Sequence, residues 1–204
     1  TKFLESNGVG AQTTDATTLT SWTSDGFVLG ADSSGYVGGS SQATVAWNWK
    51  ANGSGSSNSD GTTTSTVSVN TESGFSICQW TGTGSATTIG HGLGAVPKAI
   101  WVKNISASND WNVYHHSIGN THRLFLNTTQ GDENNDSAWN DTSPTSSVFT
   151  VGTNTNVNQS GSTMIAYVFT DIQGYNKTSK YLGNGNADGT FIYTGFRPAW
   201  IMVK

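Results

Sequence analysis

The strongest constraint on the fold of this chain is that its sequence repeats itself. Residues 97–103 (PKAIWVK) return as residues 198–204 (PAWIMVK), at an offset of 198 − 97 = 101. The offset holds without a gap back to the pair Trp80 and Tyr181. Identical residues in this window are Gly82/Gly183, Gly84/Gly185, Ala86/Ala187, Gly94/Gly195, Ile100/Ile201 and Val102/Val203. Such self-similarity predicts a chain assembled from repeated structural units.

A second correspondence relates the beginning of the chain to the end of the long repeat. Gly30 matches Gly152 at an offset of 152 − 30 = 122, and Ala46 matches Ala166 at 166 − 46 = 120. This arrangement predicts four parts of the chain. They are the C-terminal half of one repeat (1–50), an inserted linker (51–72), a complete repeat (73–173) and the N-terminal part of a further repeat (174–204).

The inserted stretch, residues 51–72, has no counterpart at the second junction. Its first half is a Ser, Gly and Asn tract, which cannot bury enough apolar surface to offset the entropy lost on ordering. We therefore expect residues 51–61 to be a flexible linker. Residues 64–69 alternate in character and predict either an extra strand or an extended connector.

The composition favours strands and tight turns. Only 34% of the residues are hydrophobic and 11% are charged, while Thr and aromatic residues suit a pleated surface and Gly, Asn and Ser suit turns. We predict an all-β fold of antiparallel β-sandwich or jelly-roll-like modules in tandem repeat. The predicted strands are 26–30 and 43–49 in the first part and 75–80, 86–90, 98–104, 111–115, 123–127, 148–151 and 163–169 in the complete repeat. The predicted core residues are Ile100, Val102, Trp47, Trp49, Tyr167 and Phe169.

Charge and cysteine content exclude several classes of protein. The net charge is −4 and the basic residues are scattered, whereas nucleic acids and anionic membranes require clustered Lys or Arg. The single cysteine, Cys78, cannot form a disulfide within the chain. No apolar run approaches 18 residues, so we expect no membrane insertion.

The ordered motifs of the chain resemble those of a known family. These motifs are Gly74–Ile77 (GFSI), Trp80–Gly84 (WTGTG), 89–100 (IGHGLGAVPKAI), 111–115 (WNVYH), 124–126 (LFL), 146–152 (SSVFTVG) and 165–167 (IAY). They are similar to a β-rich repeat of virion-associated, tail-fibre-like structural proteins of marine tailed bacteriophages. The resemblance implies a structural role in a virion appendage outside the cell, and it transfers no catalytic residue.

Histidine and cysteine do not form a recognisable catalytic pattern. His115 and His116 are adjacent, and adjacent residues of a regular strand point to opposite faces, so both cannot serve one metal site. Cys78 lies on a predicted strand, where a small buried hydrophobic residue is expected. The chain contains no nucleophile elbow, phosphate-binding loop or zinc-protease motif. We therefore predict a non-enzymatic protein, with a glycan-cleaving enzyme as a third hypothesis.

One acidic stretch carries oxygen ligands at alternate positions. Asp132, Asn134 and Asp136 are spaced like the first ligands of a calcium loop, but the Gly and the final Glu of an EF-hand are replaced by Ser137 and Ser143. A solvated acidic loop is the simpler interpretation. Calcium is the one cofactor that this pattern allows, and the chain is otherwise expected to need none.

Tryptophan provides the alternative functional hypothesis. Exposed aromatic rings on β-scaffolds stack on sugars, although tryptophan in a sheet is more often buried. The rings proposed for glycan stacking are Trp22, Trp111, Trp139 and Trp200. The alternative function is accordingly a carbohydrate-binding adhesin module of phage or bacterial-surface origin.

The first hypothesis remains a structural segment of a virion appendage with possible receptor contact. The expected partners are other copies of the chain, other virion proteins or a host surface glycan. Residues 199–204 are predicted either to pair within this chain or to be completed by residues beyond it. A further alternative is that neighbouring chains complete each other's sheets by edge-strand addition.

Overall fold

The structure, a computed structural model, describes residues 1–32 and 34–204. Within these ranges the chain forms fourteen strands and two one-turn helices. The strands are β1 (Lys2–Phe3), β2 (Thr13–Thr14), β3 (Leu19–Trp22), β4 (Phe27–Leu29), β5 (Ser56–Asn58), β6 (Ser65–Asn70), β7 (Phe75–Thr81), β8 (Thr87–Gly90), β9 (Ala99–Asn104), β10 (Asn112–His115), β11 (His122–Phe125), β12 (Glu133–Asn134), β13 (Val148–Val151) and β14 (Thr163–Phe169). The helices are α1 (Asp136–Trp139) and α2 (Thr155–Asn158).

An eight-stranded antiparallel sheet dominates the fold, in the order β12-β11-β10-β9-β14-β7-β6-β5. Strand β14 lies in the middle and pairs with β7 along one edge and with β9 along the other. Three two-stranded ribbons, β1-β2, β3-β4 and β8-β13, complete the described pairing. The predicted all-β class is confirmed.

The main core lies between the large sheet and the β8-β13 ribbon. Strict alternation along β14 turns Met164, Ala166 and Val168 to the same side, and all three are fully buried. Their side of the sheet also contributes Ile100 and Val102 from β9. The opposing layer supplies Ile89 from β8, Phe149 and Val151 from β13, Trp139 from α1 and Val157 from α2.

The strands predicted in the complete repeat are confirmed. All seven are present, with ends that differ from the prediction by at most two residues. The predicted strand at 26–30 is also formed, as β4. Each of these segments is a short alternating run between turn residues, so local pattern and tertiary pairing agree.

The structure differs from the prediction of a flexible linker at residues 51–61. Ser56–Asn58 pairs with β6, and β6 pairs in turn with β7, so the tract extends the large sheet. A Cβ atom on Gly61 would collide with the carbonyl oxygen of Thr88, which shows how closely the tract approaches β8. Backbone pairing and hydroxyl hydrogen bonds, such as Asn52 N to Ser68 Oγ at 2.8 Å, replace the missing apolar contacts. Of the two alternatives at residues 64–69, the extra strand is confirmed.

The structure also differs at residues 43–49, where a strand with buried tryptophans is predicted. No strand forms there, and Trp47 and Trp49 are 57% and 38% exposed. Their counterpart β14 is held between two neighbouring strands, whereas residues 43–49 have no paired neighbour. Of the other predicted core residues, Ile100, Val102 and Phe169 are buried and Tyr167 is half-buried.

Residues 199–204 form no strand and have no backbone hydrogen-bond partner among the described residues. Ile201 is 70% and Val203 is 64% exposed, although their counterparts Ile100 and Val102 are fully buried. Pairing of this stretch within the chain is therefore wrong, and the sequence repeat has no second folded copy among the described residues. Completion by other residues stays a prediction.

The repeat provides a matched pair for testing the core. Ile100→Ala should lower the free energy of unfolding by about 2–5 kcal/mol, because it opens a cavity in a closed core. Ile201→Ala removes the same atoms from an exposed position and should change it by no more than about 0.5 kcal/mol. Urea titration followed by tryptophan fluorescence measures both, and equal effects would contradict the assignment of the core.

Candidate functional site

One face of the large sheet is lined with aromatic side chains. Because alternate residues point to opposite faces, Phe75 of β7, Trp101 of β9, and Tyr167 and Phe169 of β14 all lie on the side away from the main core. The ring centroids of Trp101 and Phe169 are 4.7 Å apart, and those of Phe75 and Phe169 are 5.1 Å apart. We call these four residues the aromatic face.

Three tryptophans lie over one end of the aromatic face. The centroid of the Trp200 ring is 5.9 Å from that of Trp47 and 5.5 Å from that of Trp49. Trp49 in turn contacts Phe75 at 6.4 Å and Phe169 at 6.1 Å. We call Trp47, Trp49 and Trp200 the tryptophan cluster. It joins the two unpaired segments of the chain while leaving Trp200 38% exposed.

The N-terminal segment covers the other end of the same face. Trp111 stacks near Tyr167 and donates its Nε1–H to the carbonyl oxygen of Glu5 at 2.9 Å. Lys103 is fully buried beside it. The Lys103 Nζ donates to the carbonyl oxygens of Val9, Asn104 and Ala107 at 3.1, 2.9 and 3.4 Å.

The buried Lys103 ammonium is therefore solvated by backbone oxygens. Burial disfavours the charged form and lowers the pKa of Lys103, and the nearby Asp110 carboxylate opposes this shift. Three carbonyl acceptors match the three N–H bonds of an ammonium. The arrangement fixes the N-terminal segment on the sheet and offers no open site.

The four tryptophans proposed for sugar stacking lie in different environments. Trp22 is 70% exposed on β3, next to Phe27, and Trp200 is part of the tryptophan cluster. Trp111 and Trp139 are buried, and the Trp139 Nε1–H donates to the His122 carbonyl at 3.0 Å. Of the four, only Trp22 and Trp200 present a ring to solvent, and these two rings are not in contact with each other.

Sequence reasoning missed Trp47 and Trp49 as accessible rings. Their alternation around Asn48 is typical of a core strand, and that pattern alone cannot reveal that the neighbouring strands are missing. The exposure of the cluster is a consequence of tertiary context. The one available signal was the predicted assignment of residues 1–50 to only the C-terminal half of a repeat.

The acidic stretch is solvent-exposed. Asp132, Asn134 and Asp136 are all exposed, and they lie respectively before β12, at its end and in the first turn of α1. Asp132 Oδ2 is 3.9 Å from His122 Nε2. A polar depression of about 250 Å³ beside them is lined by Asp136, Ser137, Asn140, Asp141 and Thr153. Among the described residues, no group of three or more His, Cys, Asp and Glu side chains is placed to hold a metal ion.

Glu133, which lies between Asp132 and Asn134 in the sequence, forms an ion pair with Arg123. Arg123 Nη2 donates to the two carboxylate oxygens of Glu133 at 3.1 and 3.3 Å, and Arg123 Nη1 donates to Asn112 Oδ1 at 3.0 Å. The guanidinium also lies 4.7 Å from the centre of the Phe125 ring. The hydrogen bonds from Arg123 lower the pKa of Glu133 below its usual value of 4.5, although partial burial acts against them. The pair fastens β12 to β11 at the edge of the sheet.

The histidines are dispersed over three locations. His91 is fully buried, accepts the Leu93 N–H at Nδ1 and donates from Nε2 to the Thr145 carbonyl, so both ring nitrogens are engaged. Burial lowers the pKa of His91. His115 and His116 stack at 5.3 Å because β10 ends at His115 and the chain turns there. The expectation of opposite faces therefore does not apply to that pair.

Cys78 is buried, as the sequence predicts. Its thiol is fully enclosed, contacts Ser76 Oγ at 3.6 Å and has a pKa raised to about 12 by burial. A thiol with such a pKa carries almost no thiolate at neutral pH. It acts as a small core residue.

Comparison with known proteins identifies one family. The family model described as "Domain of unknown function (DUF7483)" matches residues 1–204, and the chain therefore belongs to that family. No curated protein and no solved structure matches the chain. No helix among the described residues is long and apolar enough to cross a bilayer.

The Glu133–Arg123 pair makes a prediction for acid stability. A carboxyl whose pKa is lowered in the folded state stabilises the fold above its unfolded pKa, and this stabilisation is lost as the pH falls through the folded pKa. Glu133→Gln should therefore reduce the loss of melting temperature on acidification below pH 4.5. Glu72→Gln, at an exposed turn position, is the control. An identical pH dependence in Glu133→Gln and the parent chain would contradict the role of the pair.

Proposed function

We propose that this chain is a non-enzymatic structural segment of a bacteriophage virion appendage, such as a tail fibre. In this proposal β-sandwich or jelly-roll-like modules follow one another and give the appendage its length. The appendage lies outside the cell, and its partners are other copies of the chain or other virion proteins. Contact of loops with a host receptor is an additional role of the appendage.

The observation that carries the proposal is the distribution of exposed apolar side chains. All but one of the exposed large hydrophobic residues of the described chain lie before residue 50 or after residue 174, and the exception is Val96. Between residues 50 and 174, the large apolar side chains of the described chain other than Val96 are buried or half-buried. The two end parts carry sheet-forming sequence whose large apolar side chains are mostly exposed, even where Trp49 contacts Phe75 and Phe169.

Serial modules explain this distribution in physical terms. In a repeat protein each unit contacts its neighbours, and a unit cut from the series exposes the apolar surface that a neighbour covers. The end parts match portions of the complete repeat by sequence, so neighbours of the same kind would supply the missing contacts. The resemblance of the ordered motifs to tail-fibre-like repeats supports the assignment to a virion.

The location can be tested directly on virus particles. Antibodies raised against this chain should label an appendage of tailed particles from the source of the sequence, when particles are viewed by negative-stain electron microscopy with gold-conjugated secondary antibody. Antibodies preabsorbed with the purified chain are the control. Label confined to host cells, or absent from every particle, would contradict the proposal.

A second function, carbohydrate binding, is favoured by the tryptophan cluster. Three neighbouring indole rings, each at least 38% exposed, resemble a stacking platform for a sugar ring. The platform combines the predicted Trp200 with Trp47 and Trp49. Trp22 provides a separate exposed ring on β3.

A glycan array separates the two functions. If the cluster binds a sugar, Trp200→Ala should weaken binding of the selected glycan by roughly tenfold, which corresponds to about 1.4 kcal/mol. Tyr36→Ala removes an exposed aromatic ring outside the cluster and should leave binding unchanged. Absence of any retained glycan, or equal losses in both variants, would contradict sugar binding by the cluster.

A further inference from the structure

Three asparagine–glycine pairs occur in the sequence: Asn7–Gly8, Asn52–Gly53 and Asn184–Gly185. Asparagine is a chemically labile residue. A glycine after it lacks the Cβ that would hinder attack on the asparagine amide by the next backbone nitrogen. By sequence the three pairs are equally suited to this reaction, but the structure places them in different environments.

The Asn52–Gly53 pair is held by hydrogen bonds on both sides of its peptide bond. The Asn52 N–H donates to Ser68 Oγ at 2.8 Å, and the Ser68 hydroxyl donates to the Gly53 carbonyl oxygen at 2.8 Å. Because Ser68 lies on β6, the pair is tied to the large sheet. Bond formation between the Asn52 side chain and the Gly53 nitrogen requires rotation of the backbone, which must first open these hydrogen bonds.

The Asn184–Gly185 pair is held through the side chain that would react. Asn184 Nδ2 donates to the carbonyl oxygen of Asp188 at 2.9 Å. Asn184 Oδ1 accepts the Asn186 N–H at 3.1 Å. Both ends of the side-chain amide are therefore engaged, and its rotation toward the Gly185 nitrogen would break both hydrogen bonds.

The Asn7–Gly8 pair lies in a turn between β1 and β2, where Asn7 is exposed. The hydrogen bonds around this turn engage Glu5, Gly8 and Val9, and none among the described residues engages the Asn7 side chain. The Gly8 N–H must lose its proton before the nitrogen attacks, and it donates to the Glu5 carbonyl oxygen at a long distance of 3.4 Å. Of the three pairs, Asn7–Gly8 has the fewest contacts to break.

The same turn joins two points at which the N-terminal segment is attached to the sheet. On one side of the turn, the Glu5 carbonyl oxygen accepts the Trp111 Nε1–H at 2.9 Å. On the other side, the Val9 carbonyl oxygen accepts a hydrogen bond from Lys103 Nζ at 3.1 Å. Only three residues separate Glu5 from Val9, so a change in backbone length between them acts on both attachments.

We propose that Asn7 is a site of spontaneous deamidation, and that its conversion to isoaspartate loosens the N-terminal segment from the sheet. The Gly8 nitrogen loses its proton to solvent and forms a bond to Asn7 Cγ. The bond from Cγ to Nδ2 breaks, and Nδ2 takes up a proton from solvent and leaves as ammonia. Water then opens the cyclic succinimide. Attack of water at Cγ gives aspartate, whereas attack at the backbone carbonyl carbon gives isoaspartate.

The isoaspartate product changes the geometry of the turn. Its backbone continues through Cβ and Cγ, which adds a carbon atom to the path between Glu5 and Val9, and it leaves a carboxylate on Cα. Hydrogen bonds weaken steeply as distance and angle depart from their optimum, so the longer path should weaken the attachments at Glu5 and Val9. The variant Asn7→Asp adds the same charge without lengthening the backbone, and it should keep both attachments.

The rate of conversion tests the site. The full chain is incubated at mildly alkaline pH, and aspartate and isoaspartate are quantified at the three pairs by mass spectrometry of proteolytic peptides. Conversion at Asn7 should be roughly tenfold faster than at Asn52 or Asn184, because two hydrogen bonds must open at each of those pairs. In concentrated urea the three rates should converge. Equal rates in the folded chain, or a slower rate at Asn7, would overturn the assignment.

Gly8→Ala is the matched control variant. The three atoms nearest to a Cβ at this position all belong to the flexible Glu5 side chain, so the substitution should preserve the fold, which circular dichroism checks. The added Cβ hinders attack by the backbone nitrogen, so conversion at Asn7 should fall roughly tenfold while conversion at Asn52 stays the same. An undiminished rate at Asn7 in this variant would contradict attack by the Gly8 nitrogen.

Hydrogen exchange of the Asn109 amide tests the loosening. This amide donates to the Val9 carbonyl oxygen at 3.0 Å, so it reports whether the N-terminal segment stays attached. In chain converted at Asn7 and purified by ion exchange, Asn109 should exchange roughly tenfold faster than in fresh chain. Fresh Asn7→Asp chain and equally aged Gly8→Ala chain should exchange like the fresh parent. Unchanged exchange in the converted chain, or the same acceleration in Asn7→Asp, would overturn the role of backbone length.

Discussion

The structure depends on the pairing of β14 with a neighbour on each side. All seven residues of β14 are matched on β7, and six of them, residues 164–169, are also matched on the full length of β9. This double pairing fixes which side chains of β14 enter the main core and which form the aromatic face. Once β14 is in place, both layers of side chains follow from simple alternation.

The chain contains a natural control for this dependence, since similar sequences occur with and without partners. Ile100 and Val102 are fully buried in β9, while Ile201 and Val203 remain exposed in a segment that forms no strand. Side-chain composition is nearly the same in the two places. The difference in burial therefore comes from the presence of paired neighbours, which shows that strand propensity in this protein is realised only through tertiary contact.

The same dependence on paired neighbours limits what can be predicted from the sequence. Strands inside the complete repeat were predictable because their alternation and their turns agree with the pairing that forms. Residues 43–49 have an equally clear pattern, but no pattern states whether a neighbour is available. Trp111 and Trp139 look like accessible rings in sequence, yet their buried Nε1–H groups find carbonyl partners in distant segments. Tertiary context of this kind cannot be read from local spacing.

The Ser, Gly and Thr tract shows why a linker-like composition can be ordered. Thr62 and Thr63 form hydroxyl contacts of 2.8 and 2.7 Å with Thr87. A similar network lies outside the tract, where the fully buried Asn158 donates its side-chain amide to Thr83 Oγ1 and to the carbonyl oxygens of Ser85 and Gly152. Short uncharged side chains thus perform the connecting role that ion pairs have in other proteins.

Polar contacts of this type also have a physical consequence for the whole chain. Salt screens the attraction between exposed charges, but it has little effect on hydrogen bonds between neutral hydroxyls, amides and carbonyls. With 11% charged residues, the fold relies on ion pairs at few positions, of which the Arg123–Glu133 pair is the most buried. A protein held together in this way should keep its structure over a wide range of ionic strength.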